Sequence, residues 1–159
     1  MFGLAQRIFV PKRKGIIAVE GIAVVRLIGP DGQVRAERRV KNLIVNNGRY
    51  GIADQLLATP TIGKPTHLAI GLGTTAPALT DTALVSEVGT RVTVNKTRTN
   101  NQVTLDGTFG AGNGTGAITE AGIFNASTAG TMYSRITFAA INKGSNDSLQ
   151  LTWTWTIGT

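Results

Sequence analysis

The chain contains no cysteine. Disulfides, thiolate nucleophiles, iron–sulfur clusters and Cys-type zinc sites are therefore excluded. Its single histidine, His67, is too little for a multi-histidine metal site and a poor footing for a histidine-based triad. Charged residues make up only 16% of the chain, against about 25% in an average domain. Aromatic residues make up 6%, which argues against a carbohydrate cleft. Long hydrophobic runs are also missing. The stretch Ile16–Ile28 is apolar but is broken by Glu20 and Arg26, too short and too charged to span a bilayer. The opening MFGLAQRIFVPKRKG sets its charges after its apolar residues, the reverse of a secretory signal. No membrane association is expected.

What remains is the composition of an ordered, turn-rich β protein. The 159 residues are 42% hydrophobic and include 20 glycines, and threonine is frequent. A chain of this length forms about one domain and buries roughly two thirds of its unfolded surface. The charge is uneven. Residues 1–50 hold ten basic and three acidic residues, whereas the other 109 hold six of each, so the net charge of +7 sits at one end. Such an excess argues for an anionic partner docking there.

Residues 1–15 read as an arm, with Phe2, Leu4, Ile8, Phe9 and Val10 apolar and Pro11 and Lys12–Lys14 interrupting any element. Residues 16–159 read as a single β domain. Residues 16–45 have the form of a hairpin turning at Gly29-Pro30-Asp31-Gly32. Its second strand, Gln33–Val45, carries Arg35, Arg38, Arg39 and Lys41. One helix is expected over about 47–58, capped by Asn46 or Asn47 and ended by Thr59-Pro60. Tyr50, Ala53, Leu56 and Leu57 would form its packing face. Strands follow over residues 66–159: Thr66–Leu72, Arg91–Thr97, Val103–Gly110, Ala117–Asn125, Thr131–Phe138 and Ser148–Ile157, with a helical turn near Asp81–Leu84. Short strands at this spacing predict a mainly β protein, an antiparallel sandwich or barrel-like domain. The last strand alternates, with Leu149, Leu151, Trp153, Trp155 and Ile157 facing the core.

Few residues invite a chemical reading. Gly71-Leu72-Gly73-Thr74-Thr75-Ala76 matches GxGxxA after a strand, but Pro77 follows and no βαβ unit is visible. These glycines are better read as a tight loop that uses positive φ. Gly110–Gly116 is glycine-rich but lacks the Lys-Ser/Thr of a phosphate loop, and reads as a bent hairpin tip. The carboxylates Asp81, Glu87, Asp106, Glu120 and Asp147 are scattered. No helix-turn-helix, zinc finger or stacked-aromatic motif is present. No catalytic residue, cofactor or metal is expected, and the chain reads as a non-enzyme.

Two stretches carry a resemblance. One is Lys41–Gly48 (KNLIVNNG), running into Ile52-Ala53 and Leu56-Leu57. The other is His67–Pro77 (HLAIGLGTTAP), then Asp81–Leu84 (DTAL) and Ile118–Ala126 (ITEAGIFNA). Gly130–Arg135 (GTMYSR), Ile141–Lys143 and Leu151–Trp155 (LTWTW) follow. Over residues 40–159 the chain resembles a broad group of small structural proteins of tailed bacteriophage particles. The resemblance implies a virion location, with a capsid decoration (cement) protein on the head surface favoured over a tail-tip, baseplate or fibre-associated part. It also implies a homo-oligomer, with a trimer favoured, and the major capsid protein or another virion protein as partner. Phe2, Leu4, Arg7, Phe9, Lys12, Arg13 and Lys14 of the arm, with Arg35, Arg38, Arg39 and Lys41, are then expected to meet acidic capsid surface or a neighbouring subunit. A nucleic-acid-binding β-barrel using the basic end ranks behind both virion readings.

Overall fold

The computed structural model describes residues 17–158. The arm expected over residues 1–15 lies outside them. The expectation of a mainly β, antiparallel architecture with one short helix holds: two five-stranded sheets face each other as a sandwich.

Strand β1 (Val19–Ile28) shows why. Gly21, Ala23, Val25 and Leu27 are buried, while the residues between them face outward. A period of two with one apolar face makes a half-buried strand. β1 pairs along its whole length with β10 (Ser148–Ile157). In β10, Leu149, Leu151, Trp153 and Trp155 are buried as their alternation predicts. Ile157 departs from the expectation and is 41% exposed, because it lies at the end of the sandwich where no second sheet covers it. On its other side β1 pairs with β2 (Val34–Lys41) through the expected turn, in which Gly32 takes φ 78° and Gly29 N–H donates to Gln33 O at 2.9 Å.

The expected strand Gln33–Val45 is broken. β2 ends at Lys41, and β3 (Leu43–Ile44) belongs to the opposite sheet. Asn42 makes the corner. Its N–H donates to Gly21 O at 3.0 Å and its side-chain Nδ2 donates to Ser134 Oγ at 2.6 Å, so it holds one sheet with each group.

Helix α1 spans Asn46–Asp54, shorter than expected. Neither Asn46 nor Asn47 caps it by its side chain. Val45 is the N-cap, and Asn46 N–H donates instead to Leu79 O at 2.8 Å. The predicted packing face is also wrong. Tyr50, Leu56 and Leu57 are exposed, and the buried helix residues are Gly48 and Gly51. Both glycines lie directly on Tyr133, closer than any side chain would allow. The helix ends at Asp54 because its carboxylate accepts from Ile62 N–H at 2.7 Å and Thr61 Oγ1 at 3.1 Å, which turns the chain back.

The remaining strands are β4 (His67–Gly71), β5 (Glu87–Thr93), β6 (Asn95–Thr99), β7 (Gln102–Phe109), β8 (Gly116–Phe124) and β9 (Met132–Lys143). The first sheet runs β2-β1-β10-β7-β6 and the second β3-β9-β8-β4-β5. The expected strand Arg91–Thr97 is therefore two strands in different sheets, divided at the buried Val94. The expected helical turn at Asp81–Leu84 is a non-helical bend, in which Asp81 Oδ2 accepts from Ala78 N–H at 2.9 Å. Gly110–Thr115 is not a hairpin tip but the crossover from β7 in one sheet to β8 in the other. β9 runs past the expected end at Phe138, since Ile141–Lys143 pair with Gly116–Ile118 beyond an irregularity in the register. One apolar core fills the space between the sheets, with Trp153, Phe109, Tyr133, Leu105, Ile118 and Ile123 among its largest members.

Candidate docking surface

The outer face of the first sheet follows from register. Strand pairing aligns Thr97, Thr104, Thr154, Ile22 and Lys41 in one row. The next row is Asn95, Asp106, Thr152, Val24 and Arg39. Threonines thus tile the middle of the face, and cations stand at its β2 edge. Ile22, Val24, Arg39, Lys41, Thr154 and Gln102 line a shallow depression there.

The basic residues of β2 do not act alike. Arg38 turns inward at the open edge of the sandwich. Its Nε donates to Ala139 O at 3.2 Å and its Nη2 to Ala140 O at 3.3 Å, tying β2 to β9. Arg35 lies 3.7 Å from Asp31 and 3.9 Å from Asp147, and Lys41 Nζ lies 3.8 Å from Glu20. Exposed pairs at such distances are weak, so both cations remain open to a partner. Arg39 is exposed and has no ion-pair or hydrogen-bond partner among the described residues. Of the expected docking residues, the structure places Arg39 and Lys41 beside one depression and Arg35 further along the same strand, and engages Arg38 internally. Phe2, Leu4, Arg7, Phe9, Lys12, Arg13 and Lys14 lie outside the described residues.

The residues that invited a chemical reading have structural roles. Gly71 and Gly73 are absent from the positive-φ residues, which corrects the tight-loop reading. They are glycines because a Cβ at either position would meet Glu120 Oε1 at 2.5 Å. In the crossover, Gly112 and Gly114 take φ 76° and 67°, and the Asn113 side chain bonds both backbone groups of Thr90. Lys143 Nζ donates to Gly110 O at 2.9 Å, and burial pulls its pKa down against the opposing pull of Asp147. His67 Nδ1 lies 2.8 Å from Thr66 Oγ1. Among the described residues no cluster of three or more metal-ligating side chains occurs, and no helix is long and apolar enough to cross a membrane.

Two of the scattered carboxylates come together. Glu120 of β8 and Asp81 meet on Arg135 of β9, which the sequence marks only as the end of the block Gly130–Arg135 and gives no role. Arg135 donates to Glu120 Oε2 at 2.8 and 3.0 Å, to Asp81 Oδ2 at 2.8 Å and to Thr75 O at 2.9 Å. Glu120 also accepts the N–H groups of Gly73, Val85 and Ser86 at 3.0, 3.1 and 2.8 Å. Burial pushes its pKa up. The Ser86 N–H, the Arg135 guanidinium and the other two N–H groups outweigh burial and hold it below its ordinary value. Both oxygens of this buried carboxylate are committed, and it acts as a strut for the loop 72–86. A sequence signal existed: Glu120 and Arg135 each interrupt an apolar strand, and buried charges persist only when paired.

Comparison with protein-family models, with curated proteins and with solved structures finds no match for this chain.

Proposed function

We propose that the protein is a structural part of a tailed-bacteriophage particle, a decoration protein that binds the outside of the assembled head. The observation that carries this reading is the outer face of the first sheet, where Arg39, without an ion-pair partner among the described residues, and a weakly paired Lys41 flank exposed Ile22 and half-buried Val24. A shallow, threonine-tiled face with cations at its β2 edge suits an acidic protein surface presented many times. Binding only the assembled lattice stabilises that lattice by mass action. The ordered sequence blocks from Lys41 to Trp155 support the same class, and the hydrogen bonds that tie Glu120 and Arg135 into the loop 72–86 are compatible with it. A homo-oligomer, with a trimer favoured, completes the proposal.

The test is the copy number per purified virion, measured by quantitative mass spectrometry against the major capsid protein. A fixed ratio to the capsid protein is the expected result. A few copies per particle would move the protein to the tail. Absence from particles would overturn the virion reading and leave nucleic-acid binding, recognised by its steep loss of affinity with salt.

A further inference from the structure

A second surface lies at the end of the sandwich beside α1. Ile17, Ile52, Leu56 and Ile157 line a groove between the helix and the start of β1, with Lys41 and Arg49 on its rim. Ile17 is 75% and Leu56 87% exposed. Contiguous exposed aliphatic side chains mark a surface that something covers. Leu56 and its neighbours are the residues whose helical spacing promised a packing face and found none in the described sandwich.

The sequence before Ile17 supplies a matching partner. Between residues 2 and 10 it offers Phe2, Leu4, Ile8, Phe9 and Val10 with Arg7 as the one charge, and the basic run Lys12–Lys14 separates them from the domain. Residue 17, where the described chain begins, is itself a wall of the groove. The intervening residues 11–16 span up to about 20 Å when extended. Pro11 and Gly15 are residues at which a chain readily reverses. A short tether of this kind raises the local concentration of the attached segment to about the millimolar range. A two-fold pairing of grooves between copies would instead set Lys41 and Arg49 of one molecule against those of the other.

We infer that the apolar segment 2–10 of the same chain docks in this groove and covers Ile17, Leu56 and Ile157. The inference stands apart from the virion reading, since it concerns the free protein alone.

Because the chain has no native cysteine, Ala58→Cys gives one site for a spin label two residues beyond Leu56. Paramagnetic broadening of the backbone amides of residues 2–10 is then read in two dilute samples. In one, label and isotope are on the same molecule. In the other, isotope-labelled protein without the spin label is mixed with spin-labelled protein of natural isotope content. Strong broadening of residues 2–10 in the first sample, none in the second, and its loss in the Leu56→Asp variant with the remaining spectrum intact is the expected result. Broadening in the mixture as well would identify the arm of a second copy as the occupant and overturn the inference. No broadening in either sample, or broadening that survives Leu56→Asp, would also overturn it.

Discussion

Arg135 and Glu120 meet beneath the loop 72–86, on the face of the second sheet turned away from the core, with guanidinium and carboxylate 2.8 Å apart and both side chains closed to solvent. Their pairing joins β8 to β9, and the carboxylate also gathers three N–H groups of the loop 72–86. Gly73 is buried, so its N–H in particular depends on this acceptor.

Removing the cation alone strands that carboxylate. Arg135→Met is expected to cost about 3–5 kcal/mol, the range for breaking a buried ion pair from one side. Urea unfolding followed by tryptophan fluorescence checks it, with Trp153 as the buried reporter. A loss below about 1 kcal/mol, the scale of exposed pairs, would mean that the pair is solvated.

The same carboxylate sets an acid limit. Its folded pKa lies below the ordinary value of 4.5, so Glu120 contributes stability that is fully present above pH 4.5 and is lost as pH falls through the lower folded value. Unfolding free energy should therefore decline below pH 4.5. In Glu120→Gln, less stable at neutral pH, that decline should be shallower. Parallel profiles for the two proteins would remove Glu120 as the cause.

Gly48 and Gly51 give a test in which two effects oppose. Alanine raises helix propensity by up to about 1 kcal/mol. At Gly48, however, the new methyl would collide with the backbone of Tyr133, and at Gly51 with its ring. Overpacking of this kind costs about 1–3 kcal/mol. Gly48→Ala is expected to destabilise in thermal unfolding, since a backbone carbonyl yields less than a side chain. A rise in Tm would show that the helix is not held at this distance.

Arg38 and Arg39 are neighbours with opposite expectations. Arg38→Ala removes the donors to Ala139 and Ala140 and should cost about 1–3 kcal/mol of stability, a hydrogen-bond loss. Arg39→Glu should leave stability within about 0.5 kcal/mol, as for an isolated surface change, yet weaken attachment to particles in a sedimentation assay. Unchanged attachment would remove Arg39 from the docking face.

The fold was legible where one physical signal acted alone. β10 alternates strictly because one face meets the core and the other does not, and its bounds follow from the sequence. The helix face was not legible, because α1 docks through close backbone approach at Gly48 and Gly51. A periodicity of apolar side chains cannot register a contact made by their absence. The glycines at positions 71 and 73 misled in a related way: they make room for Glu120, which lies 47 residues from Gly73. The Glu120–Arg135 pair depends on the register of β8 against β9, set by turns and bulges that no local pattern encodes. On the candidate face, the basic character of β2 was visible in the sequence. That Arg38 turns inward while Arg39 stays open depends on which side of the strand each occupies, and on the irregular stretch of β9 that receives Arg38.

The pairing of β1 with β10 has a consequence in time. Nearly the whole described chain separates these strands, yet they lie side by side at the centre of the first sheet. Such distant pairing slows folding, since loop closure precedes the contacts that reward it. During synthesis β1 and β2 emerge early as an isolated hairpin, marginal in water by itself. The face that carries Ile22, Val24 and Arg39 gains its threonine half only when β10 arrives. An unfinished chain therefore cannot present it, and a partner that reads the whole face meets only completed molecules.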